Sequence, residues 1–333
     1  MRFFRFLILL ACLAVIAVAG GGYWWATTPV PLRTSPLDFR IPPGTSLRGA
    51  AAAMAEAGVD MPPLFMVLLA RAVHADTGIK AGSYAIHAGV TPWEILGKLT
   101  RGQVTQGELI LVEGWSFRQW RDKLDAHPDL RHDTQGLPEA EIARLIGAET
   151  PRIEGWLFPD TYLFDKQSSD LELIARAHRA MRRKLEAEWA QRAANLPYRT
   201  PYQALTMASI VEKETGRDGD RPMVAAVFVN RLRSGMMLQT DPTVIYGMAE
   251  RFDGNIRKRD LTTDTPYNTY TRSGLPPTPI AMPGAAALKA ALHPPRTDYL
   301  YFVARGDGSS AFSRSLEEHN RAVNQYIRKS AKP

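Results

Sequence analysis

The sequence predicts an α+β protein: one membrane-crossing N-terminal helix, a small α+β unit of short strands and short helices, and a larger, mainly helical α+β unit. Three observations predict it. An uncharged apolar run opens the chain, strand-like segments alternate with capped helical segments to about residue 105, and longer helical periodicities dominate from about residue 106 onward. A length of 333 residues allows about two domains, each burying its own core. Apolar residues at 45% and charged residues at 23% argue against large-scale disorder. The net charge of +7 and pI near 9.5 suit polyanionic neighbours without choosing among nucleic acid, anionic lipid and acidic polysaccharide. Cys12 is the single cysteine, so no intramolecular disulfide can form.

Residues 1–25 form the first element. Arg2 and Arg5 precede an uncharged run from Phe6 to Trp25. At about 1.5 Å per residue its roughly 20 residues span the roughly 30 Å hydrocarbon core. The arginines keep the N-terminus in the cytoplasm, and Tyr23, Trp24 and Trp25 fall where an interfacial aromatic belt belongs. Ala17-Val18-Ala19 offers a signal-peptidase alternative, and Leu9-Leu10-Ala11-Cys12 a lipobox. The lipobox sits very early and the apolar run continues well past it; an uncleaved single-pass anchor is expected, with the bulk of the chain outside the cytoplasm, and cleavage after Ala19 is the alternative. Residues 26–38, with three prolines and little apolar periodicity, read as a linker.

Residues 39–105 read as the small unit. A strand-like apolar residue, a Gly turn, a Ser or Thr and a helical pattern recur at Ile41–Leu47, Ile86–Pro92 and Val112–Phe117. Each Ser or Thr can cap the helix that follows. Thr91 with Pro92 and Glu94 makes a capping box, and that helix should end near Gly102. The first copy, Ile41-Pro42-Pro43-Gly44-Thr45-Ser46-Leu47, resembles the opening of LysM carbohydrate-binding modules; turn chemistry without a ligand is the plain alternative.

Residues 106–333 read as the larger unit. Leu171, Ile174, Met181, Leu185 and Trp189 recur at helical spacing toward Ala194. The basic residues among them (Arg176, Arg179, Arg182, Arg183, Lys184) read as a solvated helix face rather than a nucleic-acid surface. Tyr299–Val303 and Ala311-Phe312 flank Arg305-Gly306-Asp307-Gly308-Ser309 as a hairpin, and Ser315 with Glu318 opens a terminal helix.

Thr200-Pro201-Tyr202-Gln203 starts a helix running to Glu212-Lys213-Glu214-Thr215, with Gly216 as its expected stop. Ala204, Met207, Ala208 and Val211 form its apolar stripe. A carboxylate at the end of a buried helix is partly desolvated, which raises its pKa toward what a general acid needs. Helical phase sets Glu214 roughly 70° and Glu212 roughly 90° from the stripe's centre, leaving open which of them is the acid, or whether both are ordinary surface residues. The seven histidines and one cysteine show no metal-ligand spacing, so no metal or cofactor is expected.

The stretch Ala208-Ser209-Ile210-Val211-Glu212-Lys213-Glu214-Thr215 resembles the signature of the endolytic murein transglycosylases, the YceG-like family. Further family-like blocks lie in the same order: Ile153–Tyr162, Asn230-Arg231-Leu232, Leu238–Gly247, Tyr267–Tyr270, Gly274–Ile280 and Pro283-Gly284. The resemblance covers nearly the whole chain and implies that the second glutamate, Glu214, is catalytic. Glu214-Thr215 also matches the Glu-Ser pair of lytic transglycosylases related to goose-type lysozyme. Such an enzyme needs one acid, because the sugar's own 6-hydroxyl replaces the second carboxylate of ordinary glycosidases. The implied partners are peptidoglycan glycan strands, the bacterial inner membrane and cell-wall synthases, with no nucleic acid.

The remaining blocks would then build the cleft. Gln239, Asp241, Tyr246, Asn268 and Tyr270, near Gly/Pro turns, suit hydrogen bonding and stacking on sugars, with Glu154 and Tyr162 on the opposite wall. Each also suits a loop-stabilising role, such as Asp241 before Pro242 and Asn268 after Tyr267. Leu275 to Pro279, with three prolines, reads as a rigid wall. Two competing functions are a hydrolytic muramidase with Glu154 or Asp241 as second carboxylate, and a non-catalytic peptidoglycan-binding scaffold.

Overall fold

Local capping chemistry sets where several helices begin, and a computed structural model describes the result for residues 2–328. Met1 and residues 329–333, at the ends of the expected anchor and larger unit, lie outside the described residues. The described chain is α+β and divides into two compact units.

The first unit comprises the chain up to Leu109 together with Pro128–Arg131 and Leu163–Ser168. It opens on helix α1 (Arg2–Thr27), long and apolar enough by length and composition to cross a membrane. Strand β1 (Leu37–Ile41), helices α2 (Leu47–Ala57) and α3 (Pro63–Ala72), strand β2 (Gly82–Ile86) and helix α4 (Pro92–Arg101) follow. β1 and β2 pair antiparallel, Leu37 opposite Ile86 and Ile41 opposite Gly82. Ser46 accepts from the Gly49 N–H at 3.2 Å to cap α2, Thr91 and Glu94 form the capping box of α4, and left-handed Gly102 closes α4. Phe39, Met54, Met66, Tyr84, Ile86, Ile95 and Leu99 are buried in its core.

Two expectations change here. Residues 26–38 do not hang free: Ala26, Val30 and Leu37 are buried, Val30 donates to the Val90 carbonyl at 2.9 Å, and Leu32 bridges Val59. Apolar side chains between the prolines, unreadable as periodic, supply that contact. The other is Trp25, expected to be exposed with its aromatic neighbours. It is half-buried, with its ring edge-on to Phe65 at 5.4 Å, whereas Tyr23 and Trp24 stay exposed.

The second unit contains most of the rest. From Gln106 onward, strand β3 (Gln106–Leu111), helix α5 (Phe117–Asp125), strand β4 (Leu130–Arg131), helix α6 (Glu139–Leu145), strands β5 (Asp160–Asp165) and β6 (Ser168–Ser169) and helix α7 (Asp170–Ala190) come in order; β4 belongs to the first unit, and the residues of β3, β5 and β6 are divided between the two. β3 pairs with β5 and β4 with β6. Then come α8 (Pro201–Glu214), α9 (Arg221–Arg233), α10 (Asp241–Met248), α11 (Lys258–Thr262) and α12 (Ala285–Leu292). The hairpin is present as β7 (Tyr301–Ala304) and β8 (Ser310–Ser313), Phe302 opposite Phe312, and Ser315 caps α13 (Leu316–Val323) through the Glu318 N–H at 3.2 Å. α7 presents its basic residues to solvent; Lys184 lies over the Phe158 ring at 4.4 Å and Arg182 pairs with Glu186 at 3.5 Å. The core gathers Met181, Leu185, Leu205, Met207, Ile210, Val224, Phe228 and Leu288 around α8.

Candidate active site

α8 is buried nearly all round rather than along one stripe. Every residue from Ala204 to Val211 is buried, Thr206 and Ser209 included, and the helix packs against α7, α9, α10 and α12. Small side chains permit this, and the polar ones bond inside: Thr206 Oγ1 donates to the Tyr202 carbonyl at 2.9 Å, and Ser209 Oγ to that of Thr206 at 2.7 Å. Thr200 caps the start through the Gln203 N–H, as expected. The end differs: no left-handed Gly216 closes α8. Thr215 itself turns extended (φ −148°, ψ 130°), and its hydroxyl accepts from the Arg217 N–H at 3.1 Å. A β-branched residue favours that conformation. Glu214 is therefore the last helical residue, its carboxyl at the mouth of a buried helix.

The two glutamates have different employment. Glu212 Oε2 accepts from the Gly284 N–H at 2.9 Å and Oε1 pairs with Arg221 at 3.5 Å, both side chains only 6% exposed. Burial raises its pKa, opposed by Gly284 and Arg221. Its two oxygens thus serve the N-cap glycine of α12 and the first residue of α9. Lys213 donates to the Gly114 carbonyl at 3.2 Å. Glu214 accepts one side-chain hydrogen bond, from Thr240 Oγ1. Burial raises its pKa; the Thr240 hydroxyl opposes the rise, Asp241 adds to it and Arg231 opposes it. That combination of desolvation and few partners is what a general acid requires.

Thr240 reaches Glu214 because its turn is held from three sides. Arg231 of α9, 8% exposed, donates to the carbonyls of Leu238 at 2.9 Å and Leu300 at 2.7 Å. Gln239, exposed and left-handed at φ 50°, donates from its N–H to the Thr269 carbonyl at 3.1 Å. The Thr240 N–H donates to Thr269 Oγ1 at 3.1 Å. Thr240 sits at the N-cap of α10 yet makes no capping bond; its hydroxyl is turned to Glu214 instead. Beside it, Tyr270 donates to Asp241 Oδ1 at 2.5 Å, which with burial raises the tyrosine's pKa.

The structure thus brings Glu214, Gln239, Asp241 and Tyr270 into one neighbourhood, and leaves other expected site residues elsewhere. Asn268 is fully buried: its Nδ2 donates to the carbonyls of Asp260, Leu261 and Thr263, and its Oδ1 accepts from the Tyr270 N–H. It staples the loop carrying Tyr270 and has nothing left for a sugar. Tyr162, 6% exposed, donates to the Phe158 carbonyl at 2.7 Å. Glu154, 4% exposed, accepts from the Phe117 N–H at 3.1 Å and from Tyr246 at 3.1 Å, and burial pushes its pKa to about 7. Glu154 and Tyr162 are interior posts rather than an opposite wall. Next to Glu154, Gly155 is left-handed (φ +82°) and a Cβ there would stand 2.4 Å from the Pro279 ring, so only glycine fits. The expected rigid wall is held by Tyr267 to Thr278 at 2.9 Å and by the Ile280 N–H to Ser209 at 3.0 Å.

Nothing in the sequence marks Thr240, Arg231 and Thr269 as site residues. Thr240 before Asp241-Pro242 reads as an ordinary helix cap, and only its missing capping bond betrays the other use. Through space, Asp125, His132 and Asp170 bring ligand-type atoms within 4.8 Å, a grouping linear spacing does not show. The Asp170 oxygens there already accept from Thr134 N–H at 3.1 Å and Thr134 Oγ1 at 2.6 Å.

The YceG-like family matches residues 39–325. A Bacillus subtilis (strain 168) protein named endolytic murein transglycosylase is 35% identical over 269 residues, covering 75% of this chain and 74% of that one. A protein of the same name from Streptococcus pneumoniae serotype 2 is 27% identical over 324 residues, covering 86% of this chain and 58% of its own. A crystal structure of a yceG-like protein from Listeria monocytogenes, 31% identical, aligns with a TM-score of 0.54 over 86% of this chain and 99% of that one.

Proposed function

This chain belongs to the YceG-like family and is an endolytic murein transglycosylase, and we propose that Glu214 is its single acid and base. One observation carries the assignment: of the two glutamates ending α8, Glu212 is committed to Gly284 and Arg221, while Glu214 is desolvated and, among the described residues, held by the Thr240 side chain alone. Glu214 protonates the oxygen joining N-acetylmuramic acid to N-acetylglucosamine as the C1–O bond breaks. The carboxylate then takes the proton of the muramoyl 6-hydroxyl, whose oxygen closes onto C1 as a 1,6-anhydro ring. The proton returns to Glu214 and no water is consumed. Gln239, Asp241 and Tyr270 border the reacting sugar; Tyr246, Glu154, Tyr162 and Asn268 support the walls from behind.

Residues 39–105 form a LysM-like unit, a reading supported by the strand, Gly44 turn and Ser46-capped helix of its opening. α1 is an uncleaved anchor in the bacterial inner membrane, supported by its length and by Arg2 and Arg5 ahead of the apolar run, with the bulk of the chain periplasmic and beside cell-wall synthases. The proximity of Asp241 to Glu214 favours hydrolysis as the second reading, since two nearby carboxylates can serve a water nucleophile. Mass spectrometry of digested sacculi decides. Anhydro-muramic ends are expected, with cleavage lost by roughly a hundredfold or more in Glu214→Gln. Reducing ends would favour hydrolysis, and full activity in the variant would remove Glu214 from the chemistry.

A further inference from the structure

α3 is apolar almost all round, yet only one face of it is buried. Met66, Val67 and Ala70 pack into the first unit's core, whereas Leu64, Phe65 and Leu68 are 59%, 44% and 53% exposed. Positions 64, 65 and 68 share one helix face. A helix apolar on all sides belongs in apolar surroundings on all sides, and soluble surfaces rarely leave such a patch bare. Among the described residues outside α1, no other helix exposes three large apolar side chains. The position of the patch says what covers it. The Phe65 ring meets the Trp25 ring edge-on at 5.4 Å, near the end of α1, and the adjoining Tyr23 and Trp24 are exposed.

We propose that the Leu64–Phe65–Leu68 face of α3 lies in the interfacial layer of the bilayer that α1 crosses, so that two elements seat the first unit on the membrane. The proposal rests on α1 being an uncleaved anchor. With Tyr23 and Trp24 at the headgroup level, the Trp25–Phe65 contact places the start of α3 within about one helical turn of that level. An apolar helix face lying flat there sinks roughly 5–10 Å into the headgroup and acyl boundary. Arg71, exposed in the last turn of α3, suits anionic headgroups.

The test uses the full chain with Cys12→Ser, in vesicles of phosphatidylethanolamine and phosphatidylglycerol, labelled at one introduced cysteine with a polarity-sensitive dye. Leu68→Cys and, independently, Leu64→Cys probe the face; Val15→Cys probes α1, and Leu316→Cys probes α13. With the proposal, dye at 64 and 68 emits to the blue, is quenched by lipids doxyl-labelled near the headgroup and is shielded from aqueous iodide, while dye at 316 is iodide-accessible. Dye at 15 is quenched by lipids labelled deep in the chain. Lipid quenching at 15 with iodide quenching at both 64 and 68 overturns the proposal alone and leaves a protein partner for the face. Absence of lipid quenching at 15 overturns the anchor reading and the proposal with it.

Discussion

Thr240 shows what one side chain does when two roles compete for it. Its hydroxyl forgoes capping α10 and bonds the Glu214 carboxyl, favouring the charged form against the desolvation that favours the neutral one. A hydrogen bond to the charged form favours that form, so Thr240→Val should raise the Glu214 pKa further. The limb on which cleavage falls with rising pH then moves to higher pH, and the maximal rate drops because the carboxyl loses its orientation. Thr240→Ser should restore both; an unmoved limb in the valine variant would reduce Thr240 to a packing residue. Glu154 carries a different consequence. Its pKa is raised from about 4.5 to about 7, so the folded protein holds a proton that the unfolded chain releases between those values. The stability this confers is complete at low pH and is lost as pH rises through about 7, a swing of roughly 3 kcal/mol. Urea unfolding of the wild type and Glu154→Gln at about pH 5 and about pH 8 should show the glutamine variant gaining relative to wild type at the higher pH. A constant difference would mean that Glu154 titrates normally.

Among the elements, what was legible in the sequence was what residues a few positions apart decide. Thr91 with Glu94, Ser46, Ser315 and Thr200 cap helices because partner and cap lie within one turn. The end of α8 departs from the sequence expectation because Gly216 has the type of a stop, while Thr215 ends the helix by turning extended. Glu212 and Glu214 could not be separated by helical phase, since what separates them, Gly284, Arg221 and Thr240, arrives from distant elements. Asn268 and Tyr162 look like sugar contacts for the same reason: a polar residue shows its type in the sequence, not whether carbonyls already occupy it. Close approach between elements is also invisible in sequence, and Gly155 against Pro279 is the sharpest case. Gly155→Ala adds a Cβ that would stand 2.4 Å from a proline ring that cannot rotate away, at a left-handed backbone. The combined strain should cost about 2–4 kcal/mol and displace the 275–280 segment that bonds Ser209 of α8. A lowered urea midpoint with a larger fall in cleavage would be the signature; wild-type stability would refute the contact.

At the scale of the molecule, two hydrophobic clusters with no member in common stabilise the chain. One gathers residues from Val30 to Leu99, the other from Phe158 to Leu292. That two cores exist was legible from length; which strands pair was not, because β3 with β5 and β4 with β6 join segments separated by a helix or more. Separate cores imply separate cooperativity. Ile95→Ala and Leu205→Ala each truncate a fully buried side chain, one in each cluster, and each should cost about 2–5 kcal/mol. Because Glu214, Thr240 and Arg231 all belong to the second unit, the urea midpoint of glycan cleavage should fall in Leu205→Ala and stay near wild type in Ile95→Ala. Circular dichroism of the same samples should resolve two steps, the step coinciding with loss of cleavage moved only by Leu205→Ala and the other only by Ile95→Ala. A single step moved equally by both variants would show that the chain unfolds as one body, and that damage to the first unit reaches the carboxyl of Glu214 directly.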